Sequence, residues 1–159
     1  MCLPTPARIA AFSVAGLAVR TRNSDEAHPG TARIGALWDR FFSQSWERAL
    51  PGRTDGGCLF GVYSAYESNE HGAFDLTAGV AVPPSPPVPG AARVDVQAGD
   101  YLVFAGAGPM PQLVANTWAT VWHYFAQNPQ LRRRYGTDFE AYDGPDRVRI
   151  HIGVHSPHS

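Results

Sequence analysis

Two aromatic-rich segments of this chain can be laid over each other without gaps. Segment 34–42, IGALWDRFF, aligns with segment 118–126, WATVWHYFA, at a shift of 84 residues. Trp38 then falls on Trp122, Phe41 on Phe125 and Leu37 on Val121. Positions 34, 37, 38, 41 and 118, 121, 122, 125 carry the spacing of an amphipathic helix. Trp118 falls on Ile34, so the repeated core does not itself ask for a tryptophan there. In this register Trp38 and Trp122 are expected in the core, and Trp118 on the wall of a pocket.

The flanks match as well. A short apolar strand precedes each helix, VAGLAVRT (14–21) and QAGDYLVFAG (97–106), and a pair of strands follows each. These pairs are CLFGVYSAYES (58–68) with FDLTAGVAV (74–82), and TDFEAYDG (137–144) with RVRIHIGV (147–154). Each half reads strand, helix, strand, strand. A chain written as one unit twice has few folds open to it. The expectation is an α+β fold of two βαββ modules related by a pseudo-twofold axis, forming an antiparallel sheet with helices beside a central ligand cleft. Repeat one runs from about 9 to 82 and repeat two from about 93 to 154, within one domain spanning 1–159. Between them PPSPPVPGAA (83–92) is too proline-rich for helix or central strand and reads as a stiff connector.

Composition narrows the function. Eight Phe, six Tyr and four Trp are more aromatics than a minimal core of 159 residues needs, which leaves some to line a cavity. Net charge is −1, so nothing points to a nucleic-acid partner. The 13 basic residues are all arginine, which reads as codon bias. Cys2 and Cys58 are too few for a disulfide framework and lack metal-ligand spacing. The N-terminal apolar stretch lacks a basic leader and reads as a strand, not a signal peptide. No run approaches the length of a membrane span, so a soluble, cytoplasmic protein is expected.

The chemistry concentrates around Glu140. In a strand Asp138, Glu140 and Tyr142 share one face, with Phe139 and Ala141 on the other. In the next strand Arg147, Arg149 and His151 oppose Val148, Ile150, Ile152 and Val154. Glu140 therefore has two readings open to it. It pairs across the ladder with Arg149 at the surface, a weak interaction, or it lines a cavity. In the cavity reading a desolvated carboxylate attracts a cation or holds a raised pKa for acid–base work. Tyr63, Tyr66 and Tyr101 suit a cavity wall, and the loop AGAGPMPQ (105–112) offers Met110 as an adaptable apolar contact. That loop matches no phosphate-binding glycine pattern. Set beside GVYSAYES, the first repeat has YS where the second has FE, so the carboxylate is an asymmetry in a duplicated scaffold. Arg132, Arg133 and Arg134 read as a solvated basic face. His151, His155 and His158 lack a fourth ligand, so no metal is expected.

The segments AGLAVRTRN, IGALWDRF, GVYSAYES, FDLTAGVAV, VQAGDYLVFAGAGPM, TWATVWHYF, DFEAYDG and VRIHIGV, in that order, resemble the GyrI-like small-molecule-binding domain. This is the effector-binding domain of AraC- and MerR-type multidrug regulators. The similarity runs from about Ile9 to Val154, and VRTRN followed by IGALW is most similar to a stand-alone, integron-cassette-associated branch. The resemblance implies a pocket for aromatic, often cationic compounds, with the family's buried acid falling on Glu140. Family regulators couple this domain to a helix-turn-helix, for which no room remains here, so no direct DNA binding is expected; no cofactor is expected either. A protein partner, either a regulator or gyrase, and a monomeric or homodimeric state are compatible with the resemblance.

The leading reading is a stand-alone binding protein for lipophilic, aromatic cations, linked to transcription regulation or toxin resistance. Glu140 is the cation partner, with Trp118, Tyr63, Tyr101, Phe104, Met110 and Tyr142 around it. The runner-up, carried by the resemblance, is a hydrolase of electrophilic cyclopropane-type compounds in which Glu140 positions water. A gyrase-interacting module is the third. A binding role is favoured over an enzyme.

Overall fold

Period-two alternation of apolar residues places most of the strands, and their pairing closes them into one sheet. The computed structural model describes residues 4–26, 28, 30–43, 59–68, 72–82, 91–109, 112–144 and 146–155. In chain order the elements are β1 (Thr5–Ile9), β2 (Phe12–Arg22), α1 (Asn23–Glu26), α2 (Ile34–Ser43), β3 (Leu59–Ser64) and β4 (Ala73–Val82). There follow β5 (Ala92–Val96), β6 (Gly99–Ala107), α3 (Gln112–Gln127), β7 (Asp138–Gly144) and β8 (Arg147–Gly153). The fold is α+β, with an eight-stranded antiparallel sheet in the order β1-β6-β8-β7-β3-β4-β2-β5.

That order is the same from either end once each strand is exchanged for its counterpart: β1 for β5, β2 for β6, β3 for β7, β4 for β8. The duplicated βαββ units are therefore related by a pseudo-twofold axis at the β3·β7 seam. Each unit also gains a leading strand, and the two units exchange it. β1 precedes repeat one but pairs with β6, Thr5 opposite Val103. β5 precedes repeat two but pairs with β2, Phe12 opposite Val96. Both leading strands are five residues long and half exposed, which is why apolar periodicity does not mark them.

α2 packs on β2 and β4, and α3 on β6 and β8, which leaves the central pair β3·β7 between the helices. Leu37 and Phe41 are the buried residues of α2, and Leu113, Thr117 and Val121 those of α3. Leu37 thus corresponds to Thr117 and Phe41 to Val121, a shift of 80 residues and not 84. The gapless alignment is off by one helical turn, because an amphipathic stripe looks alike four residues on. Trp38 is the counterpart of Trp118. Trp122, expected in the core, is 48% exposed.

α3 also begins at Gln112, several residues before Trp118. The Thr117 hydroxyl donates to Leu113 O at 2.7 Å inside the helix and so satisfies itself while buried. On α2 the cap is Glu26, whose carboxylate accepts from Arg33 N at 2.8 Å and Ile34 N at 3.1 Å.

On the sheet face away from the helices, Phe60, Val62, Tyr101, Phe139 and Ala141 form a separate core. His151 belongs to this face, stacked on Phe139 with ring centroids 4.1 Å apart. No metal-binding group of His, Cys, Asp or Glu occurs among the described residues. No helix among them is long and apolar enough to cross a membrane. Residues 83–90 of the proline connector, Cys2, Cys58, Met110 and His158 lie outside the described residues.

Adjacent phenylalanines on α2 should respond differently to truncation. Phe41 is fully buried and Phe42 is 50% exposed. Phe41→Ala is expected to cost about 3–5 kcal/mol in urea denaturation, and Phe42→Ala less than about 1 kcal/mol.

Candidate functional site

The two central strands carry matching tetrapeptides, Phe60-Gly61-Val62-Tyr63 on β3 and Phe139-Glu140-Ala141-Tyr142 on β7. In the ladder Phe60 opposes Ala141, Val62 opposes Phe139, and Gly61 opposes Glu140. Exchanging the two tetrapeptides leaves the Gly61/Glu140 pair in place, so the pseudo-twofold axis passes through it. The counterpart of the carboxylate is a glycine, three residues before the serine that the repeated AY motif suggests. A Cβ at Gly61 would stand 2.8 Å from Glu140 Oε1 and 3.4 Å from Trp38 Cζ2. The axis has room for one side chain, and Glu140 occupies it.

The surface pairing with Arg149 does not form. Glu140 opposes Ile150 in the ladder, Arg149 opposes Ala141, and Glu140 is 1% exposed. Three side chains donate to it instead. Tyr63 Oη lies 2.7 Å from Oε2, Trp118 Nε1 2.6 Å from Oε2, and Tyr142 Oη 2.7 Å from Oε1. Tyr63 and Tyr142 are counterparts across the axis, so one scaffold feature used twice supplies two of the three donors.

The third donor comes from α3, and the matching indole from α2 stands over the other side. Trp118 packs edge-on against Tyr63 at 5.1 Å, and Trp38 edge-on against Tyr142 at 5.5 Å. Trp38, expected in the core, packs partly buried against the core under α2 and also reaches Tyr142 beside the carboxylate. Its true helical counterpart, Trp118, was the available signal.

Burial raises the pKa of Glu140, while the bonds from Trp118, Tyr142 and Tyr63 pull it down, and the net shift is upward. Burial, and next the Glu140 charge, push the Tyr63 and Tyr142 phenols up, which keeps both as donors. Among the described residues no ion pair to Glu140 forms.

Asp138, two residues earlier on the same face, is handled differently. It is fully buried but accepts from Arg133 Nη2 at 2.8 Å, Gly153 N at 2.8 Å and Tyr66 Oη at 2.5 Å. Arg133 and Arg134 are accordingly not a solvated face. Arg133 is buried on Asp138, and Arg134 stacks over Tyr101 at 4.8 Å and donates to Ala98 O. Tyr66, read as a cavity wall, belongs to this ion-paired cluster.

The structure brings Tyr63, Tyr142 and Trp118 together on Glu140, and it does not bring Tyr101 or Phe104 there. Tyr101 points to the other face of the sheet, donating to Gln97 O at 2.6 Å, because its position on β6 has the opposite parity. Phe104 is on the helix side but buried under α3 against Tyr124 and Phe125. It borders a groove of about 310 Å³ between β6 and the first turns of α3, whose lining includes none of the four residues at the carboxylate. Met110 lies outside the described residues. The groove is a depression separate from the carboxylate at the axis.

The sequence model of a family described as Cass2, integron-associated effector binding protein, matches residues 8–154. A crystal structure of an integron cassette protein from the mobile metagenome of Vibrio cholerae is 39% identical, covers 96% of each chain and has a TM-score of 0.82. SAV2435 bound to tetraphenylphosphonium is 19% identical, covers 96% of this chain and 94% of its own, and has a TM-score of 0.79. A cryo-EM structure of an EcmrR–DNA complex is 14% identical, with a TM-score of 0.62 over 96% of this chain and 57% of the regulator. No curated protein matches.

Two measurements probe the geometry at the axis. Gly61→Ala forces the carboxylate from its donors and is expected to cost about 1–3 kcal/mol by chemical denaturation. The second concerns pH. An acid whose folded pKa lies above its unfolded value, here near 4.5, binds its proton more tightly when folded. Its contribution to stability therefore falls as pH rises through that window. Glu140→Gln removes this dependence, so the Tm of the variant minus that of the wild type should grow as pH is raised from 4. The opposite slope would mean that the three donors outweigh burial.

Proposed function

This chain belongs to the Cass2 family of integron-associated effector binding proteins, and we propose that it binds lipophilic aromatic cations through Glu140. The observation that carries the reading is a buried carboxylate held by three neutral donors, with no ion pair among the described residues. Hydrogen bonds solvate that charge without neutralising it. In a medium of low dielectric, its field is weakly screened over several ångströms. A hydrated ion such as sodium loses too much hydration to exploit that field. A cation whose charge is spread inside aryl groups loses little, and its rings match the faces of Trp38 and Trp118.

The site is specific in sign because the neighbouring acid is already satisfied. Asp138 keeps Arg133, so the unmatched charge is confined to one place. Cation binding favours the ionised form of Glu140, and binding is therefore expected to tighten as pH rises. The tetraphenylphosphonium carried by the structurally similar SAV2435 suggests the first probe.

Titration calorimetry of tetraphenylphosphonium against the wild type and Glu140→Gln tests the reading. The wild type is expected to bind, and the variant to bind at least about tenfold more weakly. At 100 times Kd the ligand should add about 2.7 kcal/mol of stability to the wild type. Equal affinity in the two proteins would overturn the assignment of Glu140.

A further inference from the structure

Two large apolar side chains are exposed among the described residues, Phe42 at 50% and Trp122 at 48%. Their positions are related. The helical shift of 80 residues that matches Leu37 to Thr117 and Phe41 to Val121 also matches Phe42 to Trp122. Each stands one turn beyond the indole that covers Glu140 on its side of the axis. Phe42 stacks on Trp38 with centroids 5.9 Å apart and an interplanar angle of 27°, and Trp122 lies 6.3 Å from Trp118 at 47°.

The aromatic contacts form two matching walls. On one side Phe42 touches Trp38, which touches Tyr142, which donates to Glu140. On the other Trp122 touches Trp118, which touches Tyr63, which donates to the same carboxylate. The walls rise from α2 and α3, which flank the central strands. Both exposed aromatics thus occupy one symmetry-related position, each linked through an indole and a phenol to the same carboxylate.

We infer that Phe42 and Trp122 are a paired rim that grips two aryl arms of one ligand, whose cationic centre sits near the axis above Glu140. The inference rests on the proposed cation-binding reading and sharpens it: the preferred ligand carries at least two aryl arms diverging from its charged atom. A one-armed cation has two walls to choose from and fills only one. A two-armed cation fills both at once, so its second arm adds contact without a second association cost. Because indole offers the stronger face for a cation, the Trp122 wall should contribute more than the Phe42 wall.

Calorimetry with dibenzyldimethylammonium and benzyltrimethylammonium, which share a quaternary nitrogen and differ in arm number, separates the possibilities. The wild type is expected to favour the two-armed cation by about three- to thirtyfold. Phe42→Ala and Trp122→Ala should each weaken the two-armed cation by about three- to tenfold. Each should weaken the one-armed cation at most about twofold, since one wall survives. If both variants leave the preference for two arms unchanged while Glu140→Gln weakens both ligands, the rim is overturned and cation binding stands. An effect of one variant alone also overturns the paired rim. If Glu140→Gln binds both cations like the wild type, the cation reading falls and the rim with it. A concentration-dependent mass in light scattering that Trp122→Ala abolishes would show a protein interface in place of a ligand rim.

Discussion

The pairing of β3 with β7 holds the molecule together, and its centre is the contact of Gly61 with Glu140. Every other ladder lies within one repeat or ties a leading strand to the neighbouring repeat. At a twofold axis two identical side chains would meet, and two glutamates there would bring like charges together without water. A glycine on one strand and a glutamate on the other resolve this. The symmetric scaffold is broken at its centre, and broken symmetry yields a single carboxylate between matched walls.

Placement of the two acids on β7 shows how burial can serve opposite ends. Asp138 is neutralised by Arg133 and tied to the backbone of Gly153, so it acts as a strut between β7, β8 and the loop after α3. Glu140 has the same burial and a comparable number of hydrogen bonds, yet its donors are phenols and an indole. A fully compensated charge stabilises the fold and offers nothing to a ligand. A charge solvated by neutral dipoles retains its field, and the cost of its desolvation is offset elsewhere in the core. The difference between the two lies in the chemistry of their partners.

Much of this was legible in the sequence. Alternation and helical spacing located the strands of both repeats and both long helices, and Glu140 stood out as the residue that the repeat did not require. Register was harder. Amphipathic helices look alike after a slip of one turn, so the sequence alone pairs Trp38 with Trp122 and not with Trp118. The recurring AY likewise masked the match of FGVY with FEAY. Strand parity separates two of the expected site residues: Tyr101 and Phe104, three residues apart on one strand, cannot both face Glu140. The leading strands β1 and β5 do not stand out as elements separate from their neighbours, because five half-exposed residues carry almost no periodic signal. Arg133 looked solvated because nothing local announces a buried aspartate five residues on.

The exchange of β1 and β5 has a consequence for how the chain is made. Thr5 finds its partner Val103 only after the whole first repeat and the start of the second have been synthesised. The first repeat therefore emerges from the ribosome with its own edge on β2 uncapped and its leading strand idle. Long sequence separation between partners slows the approach to the native state, and unpaired edges invite association with other chains in the meantime. A nascent chain of this architecture keeps these edges exposed until β5 and β6 have been made. Once both strands have crossed, neither repeat can leave without unpicking a ladder of the other.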